Sequence, residues 1–148
     1  MPSEGDRGVS GGGGGLVDGL WLIVDRKKKM FGFERLDVWQ KAIGFADLVY
    51  SSTRNFPVDE RFGFTNQLRR ASVSISSNIA EGSAGVSRKD FARFLEIAGG
   101  SAYEVISQAF IARNQGFLST DDFDVLYSGA EEIGRMLSGL RRSLADAE

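Results

Sequence analysis

The stretch from Thr65 to Gly82, T-N-Q-L-R-R-A-S-V-S-I-S-S-N-I-A-E-G, constrains the fold more than any other. Leu68, Ser72, Ile75 and Ile79 recur at the steps of a single helical stripe. Arg70, Ser74, Asn78 and Glu81 follow the same steps on a neighbouring stripe. Ser, Asn and Val are mediocre helix formers, so this segment depends on tertiary partners to stay helical. It reads as a central helix with one apolar edge and one polar edge, both packed.

Three further helices follow from the same periodicity. Leu36, Trp39, Ile43, Ala46, Val49 and Tyr50 place one over about Leu36 to Arg54, ended by Asn55-Phe56-Pro57. Asp59 and Glu60 suit the first turn of the central helix, where acidic side chains meet the positive dipole end. Gly82 is placed to close that helix in a left-handed conformation. Ser87 and Asp90 open a third helix that runs to about Gln115, roughly 42 Å at 1.5 Å per residue. Gly99-Gly100 interrupts its middle, and each Gly costs ~1 kcal/mol relative to Ala there. Close approach of a neighbouring helix, or a kink, is the expected reason. Gly116 stops it, and Ser119 with Asp122 caps a fourth helix striped by Phe123, Leu126, Ala130, Ile133, Leu137 and Leu144. Four amphipathic helices joined by short turns predict an all-α, up-down-up-down antiparallel four-helix bundle.

Composition removes much of enzyme chemistry. The 148 residues include no Cys and no His, which excludes disulfides, Ser-His-Asp and Cys-His sites, and zinc sites built on either residue. No cofactor is expected. A formal net charge of -2 gives no bulk basic bias toward nucleic acid. No apolar run is long enough to cross a membrane, and a cytoplasmic location is expected.

Residues 1-29 differ from the rest. They contain the run Gly11 to Gly15, a short apolar stretch Leu16 to Val24, and the basic run Arg26 to Lys29 just before Met30. They read as a flexible extension ahead of a bundle domain spanning 30-148. The purine-rich codons of such a basic run resemble a ribosome-binding site, so translation is expected to begin at Met30. The alternative is a basic tether for RNA or a membrane surface. From Met30 onward the balance is 13 Lys+Arg against 16 Asp+Glu, or 13 - 16 = -3.

Leu36-Asp37-Val38-Trp39-Gln40-Lys41-Ala42, Phe56-Pro57, Gln67-Leu68-Arg69-Arg70-Ala71 and Asn78-Ile79-Ala80-Glu81-Gly82 resemble one family. Ser87-Arg88-Lys89-Asp90-Phe91 and Ala98-Gly99-Gly100-Ser101 with Glu104 continue the match. The chain is similar, over about Phe33 to Leu144, to the bacterial 23S rRNA intervening-sequence proteins. The resemblance implies a bundle that assembles as a ring-shaped homo-oligomer, usually a pentamer, with no established catalytic activity. It also implies similarity to the accessory variability protein of diversity-generating retroelements, a basic bundle that binds nucleic acid and a reverse transcriptase. The acidity of this chain departs from that protein.

Two constellations are candidates for function. Ser101, Glu104 and Gln108 share a face of the third helix, so they are expected to meet Arg70, Ser74, Asn78 and Glu81 across an antiparallel pair. Either this is a hydrogen-bonded network that fixes register or a subunit contact, or Glu81, Glu104 and Arg70 build a catalytic pocket. The network is the favoured reading. The second constellation comprises Arg69, Arg88, Lys89 and Arg93, candidates for contacts to phosphate or to an acidic partner. The bundle end holding Arg88 and Lys89 carries seven basic and six acidic side chains in all, which favours a mixed solvated surface. Phe31, Phe33, Trp39, Phe62 and Phe64 are expected in the core or at a subunit interface. The leading functional expectation is a non-enzymatic oligomeric module that binds a macromolecular partner. An RNA- or DNA-binding accessory factor is the alternative.

Overall fold

The computed structural model describes residues 31–85 and 87–146. The expected extension at 1-29 lies outside them. Four α-helices make up the fold, α1 (Asp37–Ser52), α2 (Phe64–Ser83), α3 (Arg88–Asn114) and α4 (Thr120–Asp146). Short 3-10 turns at Gly32–Arg35 and Val58–Glu60 precede α1 and α2. No strand occurs among the described residues. Each helix packs on its neighbours in sequence, and α1 also packs on α4, so the four close around one core.

That core follows the predicted stripes. Leu68, Ile75 and Ile79 from α2 meet Leu95 and Val105 from α3, Val49 from α1, and Leu126 and Ile133 from α4. Each such side chain contributes roughly 1.5–3 kcal/mol relative to its exposed state. No helix among the described residues is long and apolar enough to cross a membrane.

The turns show why the helices begin and end where they do. The α1 helix stops at Ser52, and the buried Thr53 hydroxyl donates back to the Val49 carbonyl at 2.8 Å. The expected start of α2 at Asp59 and Glu60 is corrected. These residues form the 3-10 turn, and α2 begins at Phe64. Glu60 acts as a cap from outside, its carboxylate accepting the Phe64 N–H at 3.1 Å. Gly63 leaves room for that carboxylate, since a Cβ there would lie 2.7 Å from Glu60 Oε1. Ser87 and Ser119 cap α3 and α4 as their sequences predict, accepting the Asp90 and Asp122 N–H groups at 3.0 Å each. Gly116 closes α3 with φ +80°, a conformation that suits glycine.

One expectation about glycine is overturned. Gly82 does not adopt a left-handed conformation. It is buried inside α2, which continues to Ser83, and a Cβ there would lie 2.7 Å from Phe94 Cβ and 2.9 Å from Phe91 Cδ1. Gly82 therefore sets how closely α2 and α3 approach. Gly99 and Gly100 sit in an unbroken α3, with no other atom of the fold within 4 Å of a Cβ built at either. Among the described residues, no helix of the same chain covers them.

Candidate functional site

The polar edge of α2 meets α3 along a seam. The Ser74 and Ser101 hydroxyls lie 2.9 Å apart, and the Asn78 amide donates to the Ser74 carbonyl at 2.8 Å and to its hydroxyl at 3.0 Å. Further along, Gln108 Nε2 donates to Gln67 Oε1 and to Glu104 Oε2, each at 3.2 Å. From Ser101 to Gln108 is seven residues up α3, and from Ser74 to Gln67 is seven down α2, which confirms an antiparallel register. Gln67 was not singled out from the sequence, although it falls on the same stripe as Ser74 and Asn78. Gln108 Oε1 in the seam is buried with no hydrogen-bond partner among the described residues.

The same register separates the proposed catalytic carboxylates. Glu81 lies across from about residue 94, ten residues from Glu104, or ~15 Å along the helix. Both carboxylates are exposed, as is Arg70. No ion pair joins Arg70 to Glu104 among the described residues. A pocket built from Glu81, Glu104 and Arg70 is not assembled, because helical rise carries the two acids apart. The seam brings together Ser74, Asn78, Ser101 and Glu104 and leaves Arg70 and Glu81 at the surface. Chemically, it is a set of hydrogen bonds along two packed helices, neutral except for the one that Gln108 donates to the Glu104 carboxylate.

The basic candidates divide between opposite ends of the bundle. Arg69 is half-buried on α2 near the α1–α2 turn. Its Nε donates to the Thr53 hydroxyl at 2.9 Å, Nη2 reaches the Tyr50 carbonyl at 3.4 Å, and its guanidinium lies 4.5 Å from the centre of the Tyr50 ring. Arg69 thus ties α1 to α2, which corrects its grouping with the cations of α3. Arg88, Lys89 and Arg93 gather at the far end, in a recess of ≈ 590 Å³ closed on the other side by Arg141 of α4. Ala92, Leu144 and Ala145 line its floor. Among the described residues Glu96 also lines this recess, and Asp90 lies beside it. Glu96 Oε2 lies 3.5 Å from Arg141 Nη1, and Asp90 lies 3.9 Å from Arg93 Nε. All four of these side chains are substantially exposed, so each pair contributes ~0–1 kcal/mol and leaves the cations accessible.

A larger groove, ≈ 880 Å³, runs between α3 and α4. Gly99, Gly100 and Gly134 line it, together with Tyr103, Ile106 and Tyr127. Tyr103 is 82% exposed. Gly134, like the α3 glycines, has no atom within 4 Å of a built Cβ.

The aromatics expected together form two groups at opposite ends. Phe33 packs on Phe31 and Trp39 at ring separations of 5.6 and 4.8 Å, and Phe64 faces Phe117 at 6.4 Å. Phe62 lies outside the core of the chain, 79% exposed on the α1–α2 turn.

The sequence pattern described as 23S rRNA-intervening sequence protein matches residues 34–139, which cover all of α1 to α3 and most of α4. The chain belongs to that family. Its fold is similar to that of a solved protein of unknown function from the S23 ribosomal protein family of Bacteroides thetaiotaomicron. The two share 24% identity with a TM-score of 0.63, over 70% of this chain and 97% of that one. At that identity the likeness speaks to the fold alone. Among curated proteins, none matches. The intervening-sequence pattern takes in both the polar seam and the start of the cationic recess.

Proposed function

We propose that this chain is a non-enzymatic helical-bundle module that assembles with copies of itself and acts by binding a macromolecular partner. The observation that carries this reading is the uncovered groove between α3 and α4. Helix-interior glycine costs ~1 kcal/mol relative to Ala, and a closely packed neighbour normally offsets it. Gly82 and Gly129 have such neighbours inside the chain, the latter against Phe45 at 3.0 Å from a built Cβ. Among the described residues, Gly44 of α1 and the groove-lining Gly99, Gly100 and Gly134 have none. A helix from a second copy, seated on the groove glycines between Tyr103 and Tyr127, supplies one. A ring also needs a different patch on the same chain to seat in the groove, because head-to-tail contacts join unlike surfaces. Exposed Tyr50 and Val73, on α1 and α2, offer apolar area for this. Five copies in a cytoplasmic ring is the assembly that the family resemblance suggests.

Native mass spectrometry of the full chain tests the reading, alongside light scattering after gel filtration. A closed multiple of the 16.1 kDa chain is expected. Gly100→Arg should split it into smaller species whose far-UV circular dichroism is unchanged. A monomeric wild-type chain at micromolar concentration would refute self-assembly.

A second reading, an accessory factor that holds RNA or DNA, draws on one observation. Three of the four cations that the sequence singles out line a single recess.

A further inference from the structure

We infer that α2 of a second copy fills the α3–α4 groove, lying parallel to α4 with its Arg70 against Glu131 and its Glu81 against Arg142. The inference rests on the self-assembly reading above, to which it adds the occupying face and its register. Arg70, Val73, Ser77 and Glu81 form the outward stripe of α2, and all four are exposed. Glu131, Gly134, Ser138 and Arg142 line the groove along α4. Each stripe advances by three, four and four residues, about 16 Å from end to end. Laid side by side in parallel, they bring basic to acidic at one end and acidic to basic at the other. Between the charges, the Val73 side chain falls on Gly134, which has no Cβ to obstruct it, and Ser77 falls on Ser138.

The fold makes the parallel arrangement available. The contacts of Ser74 with Ser101 and of Gln67 with Gln108 run α2 antiparallel to α3. The contacts of Glu96 with Arg141 and of Phe110 with Tyr127 run α3 antiparallel to α4. Helices α2 and α4 therefore point the same way, and a neighbouring α2 can lie along α4 without its copy being turned end over end. The α3–α4 register also brings Gly99 level with Ser138 and Tyr103 level with Gly134. The small Ser77 thus arrives where the groove offers glycine and serine, and Val73 arrives beside the exposed Tyr103 ring.

Charge rejects the alternatives. Reversing α2 sets Arg70 against Arg142 and Glu81 against Glu131. Sliding it one turn toward the end of α4 sets Arg70 against Arg135. Like charges brought together at an interface cost more than an exposed pair gains, so these four residues select orientation rather than supply affinity. Affinity comes from covering Val73, Tyr103 and the glycine-lined floor. Among the described residues, none of Arg70, Glu81, Glu131 and Arg142 makes an ion pair within its own chain.

The test is native mass spectrometry of charge-reversed variants of the full-length protein, with far-UV circular dichroism confirming the fold. Arg70→Glu and Glu131→Arg should each break the wild-type assembly into smaller species. Arg70→Glu/Glu131→Arg in one chain should restore it, since every interface then carries the reversed pair. Arg61→Glu, on the α1–α2 turn, should change nothing. The chain contains no Cys, so Ser77→Cys/Ser138→Cys reads the register covalently. Oxidation should give a ladder at multiples of 16.1 kDa on a denaturing gel. Ser77→Cys/Glu131→Cys, about 10 Å out of register, should give none. An assembled wild type whose single reversals stay assembled overturns the α2–α4 pairing alone. So does a double reversal that stays split, or a ladder from both cysteine pairs. A monomeric wild type overturns self-assembly and this pairing together.

Discussion

Replacing Gly82 with Ala tests the packing of α2 on α3 directly. The added methyl would lie 2.7 Å from Phe94 Cβ and 2.9 Å from Phe91 Cδ1. Phe94 Cβ is bonded to the α3 backbone, so no rotamer change removes it. The two helices must move apart, or α2 must shift along its axis. Overpacking of this kind costs about 2–3 kcal/mol, and the better helix propensity of Ala returns about 1 kcal/mol. The net loss is about 1–2 kcal/mol. For a domain of this size the melting temperature should fall by about 4–8 °C. The assay is thermal and urea unfolding followed by far-UV circular dichroism, at matched protein concentration because assembly adds stability by mass action. Gly100→Ala is the control. Its methyl meets nothing within the chain, so an isolated chain should gain about 1 kcal/mol. If another copy covers the α3–α4 groove, Gly100→Ala should instead loosen the assembly. A Gly82→Ala protein as stable as wild type would refute the assignment of Gly82 to close helix contact.

Other substitutions probe other parts of the argument. Arg69→Ala should cost about 1–2 kcal/mol in urea unfolding, since it removes the charged hydrogen bond to Thr53 and the contact with the Tyr50 ring. Ser119→Ala removes the cap that holds the Asp122 N–H and should lower stability by about 1 kcal/mol, with the amides at the start of α4 exchanging faster with deuterated water. Ser101→Ala should cost about 1 kcal/mol at equilibrium, because Ser74 retains its bond from Asn78.

Much of this fold was legible because the apolar stripes, serine caps and Gly116 are local signals. Ser87 and Ser119 announce their helices through spacing alone, and Leu68, Ile75 and Ile79 announce the core through period. The failures came from quantities that spacing does not encode. Gly82 followed by Ser83, Ala84 and Gly85 looks like a helix end, and only the position of Phe91 and Phe94 on another helix turns it into a packing residue. Glu60 suits a first helical turn equally well as a residue in it or as a cap reaching in from outside. The polar stripe was visible, but its pairing depends on register. A register in which Ser74 meets Ser101 necessarily sends Glu81 and Glu104 apart. The cationic recess was half visible, since Arg88, Lys89 and Arg93 are close in sequence, whereas Arg141 joins them only through the return of α4. Arg69 was misplaced because sequence proximity to other arginines says nothing about which end of a bundle holds them.

The turn between α1 and α2 carries Val58 and Phe62 into solvent, 77% and 79% exposed, on a backbone pinned by the Glu60 carboxylate. It stands at the opposite pole from the recess of Arg88, Lys89, Arg93 and Arg141. The bundle is therefore a vector, with the recess at one tip and exposed Val58 and Phe62, beside Asp59 and Arg61, at the other. Rotation about an axis parallel to the helices copies a vector without reversing it. A ring built that way is a coin with unlike faces, the recesses on one side and Val58 and Phe62 on the other. A ring whose neighbours ran in opposite directions would lose that distinction, and both faces would be alike.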